Sequence, residues 1–126
     1  MRHTARAIII VKKKILLVTG YGSEYYWSPG GGIESNETPL EALNRELLEE
    51  LGVKISTSKP YKSYIVEETK QKVDNFLVET SGKLNLGNEV SDIFWLSKDD
   101  FLNKKVKVTL GLSKILIPSL IKDKLL

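Results

Sequence analysis

The sequence predicts a single α+β domain spanning residues 1–126, and three observations carry that prediction. Two short apolar runs rich in β-branched residues, 5–11 and 15–18, read as strands. Residues 39–51 read as an amphipathic helix, with Thr38 at its N-cap, Pro39 at its first position and Gly52 at its stop. Further strand-like runs follow, and a second apolar helical pattern begins near Thr109.

Composition narrows the function classes. Hydrophobic content of 41% and charged content of 28% are ordinary for a globular protein. The absence of Cys excludes disulfides, a thiolate metal site and a Cys nucleophile. A single His, near an N-terminus expected to be flexible, argues against a His-based triad. No apolar run approaches the length of a membrane span, and residues 7–11 are too short for a signal-peptide core, so a cytoplasmic protein with no membrane partner is expected. Net charge is +3, unevenly spread: residues 1–14 carry five basic side chains and no acid, and residues 98–126 carry seven lysines against three aspartates. The 19 basic and 16 acidic residues therefore leave 7 basic and 13 acidic residues in the middle, 15–97. The basic ends can attract a polyanion or simply be solvated.

In chain order, runs 5–11 and 15–18 read as paired central strands divided by Lys12, Lys13 and Lys14. Arg6 interrupts the first run, as an edge charge or as a phosphate contact. Residues 19–24 form a turn, followed by Tyr25, Tyr26 and Trp27. Trp27 can stack on a base or pack against the helix. Residues 53–57 read as a strand and Lys59-Pro60 as a break; runs 61–68 and 72–79 read as a hairpin. A loop over 81–88 leads to a strand within 89–96, then to a short helix to Asn103 started by a capping box at Ser97. Pro118 predicts a kink or a break in the C-terminal helix.

The glycine-rich loop and the helix after it carry the chemistry. Gly30, Gly31 and Gly32 let the backbone turn and approach a ligand closely, and Asn36 suits a left-handed position. On a helical wheel Leu40, Leu43, Leu47 and Leu51 fall within roughly 80° and should be core. Glu46, Glu49 and Glu50 fall within a second sector of roughly 100°, where the Ala42 methyl would leave room for a ligand. Arg45 and Glu41 point elsewhere, so nothing basic shares the acidic sector. Like charges at these spacings cost about 0.2–0.5 kcal/mol per pair. A hard divalent cation would reverse that sign; a solvated acidic face is the plainer alternative.

This stretch resembles the Nudix box, G-x5-E-x7-R-E-U-x-E-E-x-G-U, where U is a bulky aliphatic. Gly31, Glu37, Arg45, Glu46, Leu47, Glu49, Glu50, Gly52 and Val53 fill every defined position, within 23 of the 126 residues. Asn36 stands where many members have another glycine. Ser28 stands where a large apolar residue is common, a change that would widen the wall of a substrate cleft. Tyr26 stands where the family often has Trp, which favours a structural role for it.

The resemblance implies the α/β fold of the family, a Nudix α/β/α sandwich with a mixed β-sheet between helices. It also implies hydrolysis of a pyrophosphate bond in a nucleoside diphosphate derivative. Mg²⁺ is the implied cofactor, with Mn²⁺ as a substitute. The implied metal ligands are Glu46, Glu49, Glu50, the Gly30 carbonyl and an acid from outside the box. Glu89 is preferred for that acid over Asp92, because it sits at a loop–strand junction. Glu46 is implied as general base or water-positioning group, Arg45 as the residue orienting the glutamates, and Glu37 as a support at the loop–helix junction. Trp27, Gly31 and Arg6 are the candidate substrate contacts. The family's markers for ADP-ribose, dinucleoside polyphosphates and coenzyme A are absent; the region after the box reads Glu68-Thr69-Lys70. By elimination a mutator-type nucleoside triphosphate pyrophosphohydrolase leads, acting on a small-molecule nucleotide as a monomer or homodimer. A hydrolase of ADP-ribose, dinucleoside polyphosphates or RNA 5′-phosphates is the alternative, as is a non-catalytic nucleotide-sensing domain. Nucleic acid is not expected as a partner, since no RNA-binding motif is present.

Overall fold

A computed structural model describes residues 1–126. Strand β1 (Arg2–Ile8) lies at the centre of a four-stranded mixed sheet. It pairs antiparallel with β5 (Gly30–Gly32) and parallel with β7 (Gln71–Ser81), and β7 pairs antiparallel with the edge strand β6 (Lys54–Val66). A second, antiparallel sheet contains β2 (Ile10–Val11), β3 (Lys14–Thr19) and β8 (Asp92–Ser97). A two-stranded ribbon joins β4 (Tyr25–Tyr26) to β9 (Lys107–Val108).

The run 5–11 therefore serves both sheets. Ile9 separates β1 from β2, and its carbonyl accepts from the Leu16 amide at 2.9 Å. Beyond that bond, the two segments pair through Ile10–Ile15 and Val11–Lys14. The expected pairing of two central strands is replaced by one central strand in each sheet. The turn between them places Lys12 and Lys13 at φ 52° and 62°. The N-terminus is not a loose end either: His3 lies in β1, and its Nε2 sits 2.6 Å from an Asp74 oxygen.

Alternation along the strands makes two cores. On one face Ala5, Ala7, Leu16 and Val18 pack under Leu43 and Leu47 of helix α1 (Pro39–Leu51). The small alanines let that helix come close to β1. On the other face Ile8, Ile15 and Leu17 pack against Leu112, Leu116 and Leu120 from the C-terminal segment. The sheets thus lie between two helical layers, as the α/β/α sandwich requires.

Helix α1 follows its sequence signals. Thr38 and Glu41 form a reciprocal capping box, and Gly52 takes the left-handed C-terminal position at φ 68°. Loop amides at Asn85 and Gly87 satisfy the carbonyls of Leu51 and Glu50, at 2.8 and 2.9 Å. Ala42 is fully buried, so its methyl belongs to the core and leaves no ligand space. Helix α2 (Lys98–Leu102) starts with a capping box between Ser97 and Asp100.

Two expected breaks take other forms. Pro60 lies inside β6, which continues through it with register shifts between Ile55 and Thr57 and between Pro60 and Ser63. An edge strand can hold a residue with no N–H, because one side of its backbone has no ladder to complete. Pro118 does not break the C-terminal helix. A π-helical turn (Leu112–Leu116) precedes α3 (Ile117–Lys122), and the Ile117 amide reaches the Leu112 carbonyl. The missing Pro118 N–H is absorbed as a wider turn one step earlier. No helix is long and apolar enough to cross a membrane.

The packing sets an order of costs. Thr38→Ala removes the acceptor of the Glu41 amide and should cost about 1 kcal/mol. Leu47→Ala empties a fully buried position and should cost about 2–5 kcal/mol. Denaturant unfolding of both variants checks the ranking, and equal losses would mean that the cap rather than the leucine stripe holds α1.

Candidate active site

The loop between β4 and α1 is tied down on both sides. Trp27 exchanges two backbone hydrogen bonds with Val18, at 2.8 and 2.9 Å, and the Ala7 amide donates to the Pro29 carbonyl at 2.8 Å. Residues 30–32 then pair with Thr4, Ala5 and Arg6. Gly30 has φ 136°, and a Cβ there would lie 2.1 Å from the Ala5 carbonyl oxygen. Gly31 needs its missing side chain for another reason: a Cβ would lie 2.6 Å from the Glu46 carboxyl carbon. Asn36, by contrast, does not adopt a left-handed conformation; in this stretch only Gly30 has positive φ.

Arg45 organises the helix side. Its Nε and Nη2 donate to the two carboxylate oxygens of Glu37 at 2.8 and 2.9 Å, a two-pronged contact. Its Nη1 donates to Glu46 Oε1 at 2.9 Å, and Nη2 also reaches the Gly32 carbonyl at 3.1 Å. Glu49 Oε2 lies 3.8 Å from the same guanidinium. The wheel placed Arg45 away from the acidic sector, but its long side chain swings back across it. Hydrogen bonding from Arg45 pulls the Glu37 carboxyl down to about 2, and the same bonds hold Arg45 protonated above its ordinary range. Glu37 therefore braces the loop–helix junction, and Arg45 grips Glu46 from behind.

A cavity of about 420 Å³ opens in front of these elements. Glu46 and Glu50 from α1 line it together with Glu89 from the loop before β8. Arg2 and Arg6, on one face of β1, line it as well. Arg6 Nη1 donates to the carbonyls of Ser28 and Gly30, at 3.0 and 3.2 Å. Burial lowers its pKa, and the Glu50 charge opposes that shift. Trp27, Val66, Leu110 and Leu112 supply apolar wall, while the small, buried Ser28 leaves width beside them.

The expected site residues separate into two groups. Glu46, Glu50, Glu89, Arg6, Trp27, Gly30 and Gly31 meet at the cavity; Glu49, with 61% of its side chain exposed, and Arg45 do not line it. Asp92 also stays outside. It accepts from the Tyr26 hydroxyl at 3.1 Å and from the Ile93 amide at 2.8 Å. Sequence reading missed Arg2, Tyr21, Tyr64 and residues 109–112 as cavity wall. For Arg2 a signal existed, because it shares the Arg6 face at even strand spacing. For the others none did.

The donor set suits a hard cation. Burial pushes the Glu50 carboxyl up to about 7, helped by Glu46 and Glu89 and resisted by the Gly30 N–H, which donates to Oε1 at 2.8 Å. Crowded, desolvated carboxylates of this kind gain from an oxygen-seeking ion. No three such groups converge on one point, however. Glu46 is drawn to Arg45 and Glu50 to the Gly30 amide, so coordination calls for small side-chain rotations. The Gly30 carbonyl keeps a second lone pair beside the one Arg6 uses.

Comparisons with known proteins bear on the family and the fold. The NUDIX domain family model matches residues 1–115. An 8-oxo-dGTP diphosphatase from Buchnera aphidicola is 38% identical over 73 residues, covering 55% of this chain and 58% of that protein. An RNA pyrophosphohydrolase from Halorhodospira halophila is 50% identical over 40 residues, 32% of this chain and 22% of that protein. The chain thus spans less than two thirds of either relative. The solution structure of the E. coli ORF135 protein superposes with a TM-score of 0.80 at 23% identity, covering 98% of this chain and 93% of that one. At that identity the likeness shows the fold.

Two outcomes follow from the glycines and from Glu50. Gly31→Ala should keep its melting temperature within a few degrees, since only the mobile end of Glu46 must move, yet lower turnover at least about tenfold. Gly30→Ala should unfold far more readily, because its clash is with backbone. Thermal melts and kinetics of the pair check this. Burial holds the folded Glu50 carboxyl up at about 7 against an ordinary 4.5, so its favourable contribution is complete below about 4.5 and lost as pH rises through 7. In chelator, Glu50→Gln should therefore gain melting temperature relative to the unsubstituted protein between about pH 5 and pH 8. A gap that does not change with pH would contradict that burial effect.

Proposed function

The chain belongs to the Nudix family, and on that premise we propose that it is a divalent-cation-dependent pyrophosphohydrolase of nucleoside diphosphate derivatives. Its preferred substrate class is a nucleoside triphosphate, cleaved to the monophosphate and pyrophosphate. The observation that carries this reading is one cavity with three carboxylates, Glu46, Glu50 and Glu89, facing two arginines, Arg2 and Arg6. A polyphosphate needs both: guanidinium donors for its oxygens and a cation site at the bond to be cleaved.

Glu46, Glu50 and Glu89 would hold the ion, with Glu49 and the Gly30 carbonyl as further oxygen donors on the same helix and loop. Mg²⁺, or Mn²⁺ in its place, would neutralise phosphate charge and lower the pKa of the attacking water. Arg45 leaves Glu46 Oε2 free while gripping Oε1, so the free oxygen can orient that water and take its proton. Arg6 has unused donors on a guanidinium anchored to the glycine loop, placed to bind phosphate oxygens. The Trp27 ring packs partly into both cores and also faces the cavity. It supports the wall and offers a flat apolar surface to a base.

The match to the 8-oxo-dGTP diphosphatase runs over 73 residues, well beyond the box, and favours a small nucleotide. RNA 5′-phosphates are the second reading, on the strength of the lysine-rich ends. One contact between those ends lies at the β2–β3 turn, where Lys13 Nζ donates to the Lys124 carbonyl at 2.6 Å. That turn lies at the opposite end of β3 from Thr19, about 17 Å away at strand rise, and so off the path to the cavity. A purely nucleotide-sensing role leaves the buried, destabilised Glu50 without a purpose.

A phosphate-release screen with Mg²⁺ over triphosphates, dinucleotides, sugar nucleotides and capped RNA should give its highest kcat/KM on a nucleoside triphosphate. Absence of release from every class would overturn the enzyme reading. Glu89→Gln should lower kcat more than it raises KM, whereas Asp92→Asn should leave both near normal. The reverse ranking would move the distant acid to Asp92.

A further inference from the structure

Tyr21 is an exposed aromatic residue, 77% accessible, yet it sits on the wall of the cavity. Its hydroxyl donates to Glu89 Oε2 at 2.6 Å. Its backbone is left-handed, with φ 56°, a conformation that a bulky side chain rarely takes. Gly20 and Gly22 flank it, and Gly22 is also left-handed, with φ 70°. A chain with glycines on both sides could turn without straining a tyrosine. The strain is tolerated where the surroundings dictate it, and they do so here.

The surrounding contacts join two loops. Thr19 Oγ1 donates to the Tyr25 carbonyl at 2.6 Å and closes the loop that carries Tyr21. The Ser91 amide donates to the Thr19 carbonyl at 2.9 Å and docks the Glu89 loop onto it. Gly20 packs directly on the Glu89 backbone: a Cβ there would lie 1.9 Å from the Glu89 carbonyl oxygen. The Glu89 main chain is thus held by Gly20 and Ser91, and its carboxylate by Tyr21. Glu46 and Glu50, in contrast, are held by Arg45 and by the Gly30 amide. Glu89 comes from a turn, with no helix to orient it, and its carboxylate has no other hydrogen-bond donor.

We propose that Tyr21 is a positioning residue for the hydrolysis: its hydroxyl, aimed by the left-handed loop, holds the Glu89 carboxylate towards Glu46 and Glu50. The Oε2 atom receives the hydroxyl, and Oε1 stays free for the cavity. The proposal rests on Glu89 taking part in the reaction, and Glu89→Gln alone tests that premise. If Glu89→Gln keeps normal kcat, the premise fails and the positioning role fails with it.

The decisive variant is Tyr21→Phe, which keeps the ring and removes the donor. With Mg²⁺ and a nucleoside triphosphate, kcat should fall about tenfold, the scale on which supporting contacts act, with KM within about twofold. In a Glu89→Gln background the same change should cause little further loss. Without metal or substrate, the Tyr21 ring signals in the NMR spectrum, assigned by their loss in Tyr21→Phe, should shift on Glu89→Gln and stay in place on Asp92→Asn. A raised KM with unchanged kcat would make Tyr21 a substrate contact and overturn the proposal. So would independent, multiplicative losses in the double variant, or ring signals indifferent to Glu89→Gln.

Discussion

Residues 30–32 are held between β1 and the carboxylates of α1, in a space that admits no side chain on Gly30 and none on Gly31 without displacing the Glu46 carboxylate. That close approach is the constraint on which the site depends. Backbone pairing with Thr4, Ala5 and Arg6 brings the glycines onto the sheet. The absent Cβ of Gly31 lets Glu46 lie directly against them, and the Gly30 amide reaches Glu50. The alanines of β1 serve the same end from the other side, because a larger pair would lift α1 and its glutamates away from the loop. Loop, strand and helix thus form one tied backbone unit that fixes where the carboxylates start from.

Charge is distributed across that unit in opposed groups. Arg45 satisfies Glu37 and one oxygen of Glu46 from behind. Nothing comparable satisfies Glu50, which burial and its acidic neighbours push towards neutrality despite Arg6 nearby. The protein tolerates this local cost because the leucine stripe of α1 is fully buried elsewhere. The arginines of β1 line the same cavity, so opposite charges are held there on separate elements.

The loops before β4 and β8 extend the unit beyond the box. Their backbones touch at Gly20 and are joined through Ser91 and Thr19, bringing Glu89 to the cavity edge from far along the chain. The C-terminal segment closes another wall with residues 109–112, where the π turn before Pro118 sets its path. The cavity is therefore assembled from six separate stretches, within 2–6, 21–32, 46–50, 64–73, at Glu89 and over 109–112, and the box reaches into two of them.

Local features were legible from sequence because their causes act within one or two turns. Thr38, Pro39, Gly52 and the stripe of Leu43, Leu47 and Leu51 each act on neighbours a few residues away, and α1 follows them closely. The motif likewise marked Glu46 and Glu50. Other positions depended on partners remote in the chain. Glu49 shares the acidic sector with Glu46 and Glu50 yet faces solvent, because a wheel gives angle but not the height at which a cavity opens. Arg45 escaped its sector because its reach exceeds its Cβ direction. Ala42 was buried by the sheet beneath it, and Pro60 was accommodated by an edge that only sheet order reveals. Tyr21 and Arg2 reached the cavity through loop docking and strand register. Propensity and periodicity are properties of a short window, whereas register, edges and cavities are settled by hydrogen bonds between residues that meet only when the whole chain has folded.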